Sequence, residues 1–315
     1  MTATTSEDTR RVAVIGAGLM GHGIALEFAL AGYDVRLQSR NDASLAKGIA
    51  GIRDSLERLI SLGVVGRQRA EGVPETIATT TSLEGAVDGV DVVIESVYEE
   101  LAIKQDLFSR LDGLCPKSTV LASNTSGFMP SDLAAKMKHR ERVVVAHYIN
   151  PPFLVPLVEV VPSEETSSET VEALCDLLRG IGKAPIVLKR EVPGFVTSRL
   201  QTALLREALW LVENGVATAQ DVDAAIKTGL GRRWAVAGVF EVLELAGWDL
   251  LSVIANGLMP HLSASESAPA LDRMVEQGKL GAKSGQGFYE WTPESAEAMK
   301  RRIAEALVRI DSWDK

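Results

Sequence analysis

The run Arg11-Val12-Ala13-Val14-Ile15 passes without a break into Gly16-Ala17-Gly18-Leu19-Met20-Gly21. That junction constrains the fold more than any other feature of the chain. The β-branched run predicts an extended strand, and the segment after the glycines opens a helix. Gly16 permits the tight turn, Gly18 lets the backbone approach a pyrophosphate, and Gly21 permits close packing of helix on strand. The helix N-terminus adds N–H donors and the positive end of a dipole. A strand–turn–helix of this kind at the head of an α/β pattern predicts dinucleotide binding, with Gly16, Gly18, Leu19, Met20 and Gly21 around the phosphates.

The pattern that follows fits this start. Further strands are expected at 34–39 (DVRLQS), 91–96 (DVVIES), 118–123 (STVLAS), 143–149 (VVVAHYI), 157–161 (LVEVV) and 184–189 (APIVLK). Helical periodicity fills 42–62 and 100–114. Alternation of strands and helices calls for a doubly wound, mostly parallel sheet of Rossmann type. After about residue 190 the strands stop. Residues 197–214, 219–228, 235–257 and 295–310 read as helices, with SASESAPA at 263–270 as a surface connection. Pro193-Gly194 marks the change, so the expected domains are a nucleotide-binding domain over 1–190 and an all-helical domain over 191–315.

Composition narrows the function. The 315 residues match about two domains at roughly 150 residues each. With 33 Lys+Arg against 42 Asp+Glu the net charge is −9, which disfavours nucleic acid as a partner. Cys115 and Cys175 have neither CxxC spacing nor a His/Cys cluster beside them, so neither a disulfide scaffold nor a structural metal is expected. The first eleven residues are short and polar, and no apolar run approaches the ~18 residues of a membrane span. A cytoplasmic protein without a membrane partner is the expectation.

Where the second strand ends, an acidic residue would hold the ribose hydroxyls of NAD. The chain has Gln38-Ser39-Arg40 there instead. Ser39 removes a repelling carboxylate and Arg40 offers a guanidinium, so NADP is as plausible a cofactor as NAD.

Three segments are polar where a buried strand end should be apolar: Asn124-Thr125-Ser126-Gly127, His147 to Pro152, and Glu159. Ligands of doubly wound sheets bind beyond the carboxyl ends of the strands, where Ser126, His147 and Asn150 fall. Hydride transfer from a secondary alcohol needs a base titrating near working pH, which suits His147. Glu159 would fix the imidazole tautomer. His22, in the glycine-loop helix, His139, in a basic run, and His261 are poorer candidates.

These residues resemble the 3-hydroxyacyl-CoA dehydrogenase family over essentially the whole chain. The matching stretches are VAVIGAGLMGHGIA (12–25), IESVYEELAIKQDLF (94–108), ASNTSG (122–127), AHYINPPFLVPLVEVV (146–161), VPGFVTSRL (192–200) and GKLGAKSGQGFYEW (278–291). The resemblance implies His147 as general base, Glu159 as its orienting carboxylate, Ser126 as the hydroxyl on the substrate oxygen, and Asn150 beside nicotinamide and substrate. It implies that Glu99, Lys104 and Asn124 serve the cofactor. It also implies a homodimer formed through the helical domain and a place in fatty acid metabolism.

Three departures stand out. Ser198 replaces the family's Asn in the G-F-x-x-N-R-L motif, where it would face the substrate. The acid after the second strand is missing. Gly229-Leu230-Gly231-Arg232-Arg233-Trp234 resembles the branch with lambda-crystallin (L-gulonate 3-dehydrogenase) and carnitine dehydrogenase, where Arg232 or Arg233 would bind a free substrate carboxylate. The leading expectation is oxidation of a 3-hydroxyacyl-CoA, for which Arg58, Arg67 and Arg69 would offer charges to the CoA phosphates. A free 3-hydroxy carboxylate is the alternative substrate, and a non-catalytic cofactor-binding protein the alternative class.

Overall fold

A computed structural model describes residues 10–311 and 313. The chain divides into two compact units, the first running to Ser198 and the second beginning at Arg199.

The first unit is one eight-stranded sheet: β1 (Arg11–Ile15), β2 (Asp34–Gln38), β3 (Ala78–Thr80), β4 (Val92–Glu95), β5 (Val120–Ser123), β6 (Val143–Tyr148), β7 (Leu157–Pro162) and β8 (Ala184–Val187). Their order is β3-β2-β1-β4-β5-β6-β7-β8. All neighbours are parallel except β6 and β7, which run antiparallel. The expected doubly wound, mostly parallel Rossmann-type sheet is therefore what the chain forms. The three-residue β3 was not foreseen, because Ala-Thr-Thr is too short and too polar to stand out as a strand.

Side chains alternate across the sheet and both faces are covered, which is why the strands read as unbroken apolar runs. Val12 and Val14 point into a core shared with Ile24, Phe28, Ile52 and Leu174. Those four come from α1 (Leu19–Leu30), α2 (Asp42–Ser61) and the helix Ser168–Gly180. Ala13 and Ile15 point the other way, onto Val87, Phe108 and Leu111 from the helices Leu83–Val87 and Leu101–Leu114. A third cluster gathers Leu133, Val145, Val161, Leu188 and Phe195. Asn41 caps α2 by accepting the Ser44 N–H at 2.9 Å, which fixes its start beside the end of β2.

The second unit is helical, as expected, but more finely divided. The helix expected over 235–257 is two helices, Val239–Glu244 and Trp248–Leu258. Gly247, at φ +87°, breaks them in a conformation that glycine adopts without cost. Residues 219–228 become the helix Ala219–Ala225 followed by a π-helical turn, Ile226–Leu230. The expected connection at 263–270 ends early, because Pro269 opens a further helix, Pro269–Glu276. Among the described residues no helix is long and apolar enough to cross a membrane.

Candidate active site

The antiparallel register of β6 and β7 sets His147 directly opposite Glu159. Both side chains leave the sheet on one face, the face on which Val145, Val161 and Phe195 pack. His147 Nδ1 lies 2.7 Å from Glu159 Oε2, and the Phe195 ring centroid lies 5.6 Å from that of His147. Glu159 is fully buried and His147 nearly so.

The carboxylate has a second set of donors. Its Oε1 accepts the backbone N–H groups of Val196 and Thr197, each at 2.9 Å. Its Oε2 accepts the Thr197 hydroxyl at 2.7 Å. The turn that aims these donors is unusual: Gly194 has φ +78° and the non-glycine Phe195 φ +51°. A left-handed phenylalanine costs on the order of 1 kcal/mol, and this cost is borne where consecutive N–H groups converge on the carboxylate. Burial raises the Glu159 carboxyl, but the bonds from His147, Thr197 and Val196 outweigh it and hold the group below its ordinary value. An ionised Glu159 only accepts, so in the neutral imidazole of His147 the proton sits on Nδ1 and the lone pair on Nε2.

A second buried network underlies the Ser126 loop. Lys104 Nζ lies 2.6 Å from Glu95 Oε1 and 3.1 Å from Glu99 Oε2. Glu95 also accepts the Val97 N–H at 2.6 Å and the Ser123 hydroxyl at 2.5 Å. Glu99 in turn accepts the Thr125 hydroxyl, and the Ser126 N–H at 3.3 Å. The two residues expected at the cofactor, Glu99 and Lys104, thus meet each other, with Lys104 buried and the Glu99 side chain 44% exposed. Asn124 accepts the Tyr148 N–H at 2.9 Å and donates to Ser96 Oγ at 3.3 Å. It thereby links the ends of β4, β5 and β6. Ser126 and Asn150 are exposed.

Two of the three glycines of the turn have no room for a side chain. A Cβ on Gly16, at φ +108°, would stand 2.4 Å from the Ser96 carbonyl oxygen, and one on Gly21 would stand 1.8 Å from the Gly16 oxygen. At Gly18 it would meet nothing within 4 Å. Gly16 and Gly21 are thus required by the protein's own packing, while Gly18 faces open space. Gly18 is also the N-cap of α1, whose first turn has neither a side-chain cap nor an acidic residue. Its N–H groups suit a pyrophosphate. Leu19 is 69% exposed and Met20 half-buried beside them. Ser39 is buried and Arg40 exposed beyond β2.

Comparison with known proteins identifies the family. The description "3-hydroxyacyl-CoA dehydrogenase, NAD binding domain" matches residues 11–192, and the C-terminal domain of the same family matches residues 194–291. The chain belongs to the 3-hydroxyacyl-CoA dehydrogenase family. It is an oxidoreductase with that family's NAD-binding domain, of the kind that acts on a CH–OH group.

Family relatives differ in what they act on. L-Carnitine dehydrogenase of Streptomyces griseus is 44% identical over 277 residues, 85% of this chain and 80% of its own length. The 5-formyl-3-hydroxy-2-methylpyridine 4-carboxylate 5-dehydrogenase of Mesorhizobium japonicum is 36% identical over 302 residues, 96% of this chain and 97% of its own. A solved structure of a dehydrogenase of that activity, described as an NAD+-dependent dismutase, superposes with a TM-score of 0.88 over 96% of this chain and 97% of its own, at 36% identity. Human mitochondrial hydroxyacyl-coenzyme A dehydrogenase is 35% identical over 290 residues, 90% of this chain and 91% of its own.

The departures from the family pattern also have places in the fold. Ser198 lies half-buried in the first turn of the helix Thr197–Glu213. Arg232 and Arg233 are exposed in the short helix Gly231–Trp234, directly after the π-helical turn. Arg67 is engaged by Glu57 at 3.4 Å, and Arg69 donates to the Leu30 carbonyl at 3.1 Å. Thr197 escaped the sequence reading, although it lies inside the motif that was noted for Ser198. The available signal was a hydroxyl at a helix start following Pro-Gly.

Proposed function

We propose that this chain oxidises the secondary hydroxyl of a small free hydroxy carboxylate, or reduces the matching ketone, with NAD(H). The observation that carries the chemistry is the buried pair of His147 Nδ1 and Glu159 Oε2 at 2.7 Å. His147 Nε2 takes the hydroxyl proton, and Glu159 stabilises the imidazolium that results. Ser126 holds the substrate oxygen, and Asn150 orients the reacting carbon. A dinucleotide whose pyrophosphate lay on the N–H groups of the glycine turn would supply the hydride acceptor.

For the substrate, the carnitine and pyridine-carboxylate dehydrogenases among the relatives act, by their names, on small molecules rather than thioesters. Arg232 and Arg233 are the groups assigned to the carboxylate, since a guanidinium binds one bidentately. The thioester reading is the second one, supported by the human relative. Ser39 and Arg40 favour acceptance of NADPH as well as NADH.

The purified chain is to be assayed with L-carnitine, 3-hydroxybutyrate and L-3-hydroxybutyryl-CoA, using NAD and NADP in parallel. A kcat/KM for a free acid at least about 100-fold above that for the thioester supports the proposal, with Arg233→Ala raising KM about tenfold. The reverse order of substrates overturns it. Turnover of none of them, with cofactor still bound, supports the non-catalytic alternative.

We also propose a homodimer. In the second unit Phe240, Leu245 and Val253 are 76%, 90% and 73% exposed, whereas among its described residues the buried hydrophobics are Leu209, Ala270 and Ala304. Such a unit has little core of its own, and a second copy of the chain is the cover assigned to it.

A further inference from the structure

Glu159 Oε2 receives two donors at the same distance, His147 Nδ1 and the Thr197 hydroxyl, each at 2.7 Å. Oε1 is occupied separately by the N–H groups of Val196 and Thr197. These contacts divide the work. The two N–H groups hold the carboxylate in place whatever the side chain at 197, whereas the hydroxyl acts on the one oxygen that faces the histidine. A hydrogen bond to a carboxylate oxygen withdraws negative charge from it, and in a buried site little solvent screens the effect.

We infer that Thr197 is a positioning residue that sets the basicity of His147 by sharing the Glu159 oxygen on which the imidazole rests. The inference depends on the His147 reading above and deepens it. With the hydroxyl in place, Glu159 draws a proton onto the imidazole less strongly. His147 therefore stays neutral, and able to accept the substrate proton, at a lower pH. Without the hydroxyl, Oε2 carries more charge, the imidazolium is better stabilised, and His147 titrates higher. Glu159 from β7 faces His147, the Phe195 ring and Thr197 close on them from the following turn, and β8 sets Ile186 beside Glu159 in register.

The test is a titration of the full chain carrying 13C at histidine Cε1. The chain has four histidines, and the signal lost in His147→Gln assigns the one required. Thr197→Val is expected to raise the His147 midpoint by about 0.5–1 pH unit, and Thr197→Ser to leave it at the wild-type value. Thr197→Ala is expected to match Thr197→Val and provides the same readout if the valine variant does not fold. A midpoint in either hydroxyl-free variant equal to that of the wild type overturns the inference, whatever happens to the melting temperature. Failure of the catalytic reading is distinguishable, because it shows as unimpaired turnover in His147→Gln and leaves the titration result intact.

Discussion

Glu27 sits on α1, the helix that opens at the glycine turn, and its carboxyl group pairs with Lys183 where little of either side chain reaches water. Burial raises its pKa from 4.5 to about 8, against the opposing pull of Lys183. Between these values the folded chain holds a proton that the unfolded chain has released, so this group's contribution to stability is complete below about 4.5 and is lost as pH rises to about 8. Glu27→Gln carries no titrating group at this position. Wild type is expected to lose at least roughly 2 kcal/mol more than the variant between pH 5 and 9, by denaturant unfolding. Parallel losses in the two proteins would contradict this. Sequence disclosed His147 and Glu159 because each interrupts an apolar strand, where burying a polar group is costly unless it is paired. Glu27 and Thr197 lie in helices, where a polar residue is ordinary, and only the fold shows what each one meets.

At the level of elements, the glycine turn and the β6–β7 hairpin do most of the positioning. The turn was legible because its residues are restricted by backbone packing: a Cβ at Gly16 or Gly21 would collide with backbone. The hairpin was legible only as two strands, since the antiparallel register that sets His147 against Glu159 depends on the long-range pairing. Lys183 adds a tie that no local pattern displays. It donates to the Pro152 carbonyl, and to that of Val155 at 3.0 Å, so it grips the connection that follows Asn150. α1 packs against the same connection, where a Cβ on Gly23 would stand 2.6 Å from Pro152 Cγ. The helical unit was read least well in detail. Its expected single helix over 235–257 is broken by Gly247, a residue that is tolerated within helices often enough to be misread.

On the scale of the whole molecule, the two units differ in how much apolar surface each buries. The sheet has apolar cores on both faces, while the helical unit leaves Phe240, Leu245 and Val253 largely exposed. A chain of 33.8 kDa is therefore expected to scatter light as a species of twice that mass, and Leu245→Lys to shift it toward the single-chain mass. A monomer at micromolar concentration would remove the dimer from this account.

The central claim is that His147 moves the substrate proton while the glycine turn holds the cofactor independently of it. The most direct measurement is the turnover of His147→Gln beside its affinity for NADH, determined on one preparation with the substrate that the wild-type chain uses best. A fall in kcat of about 100-fold or more, with NADH affinity within about twofold of wild type, is the expected result. Turnover equal to that of the wild type would contradict the claim.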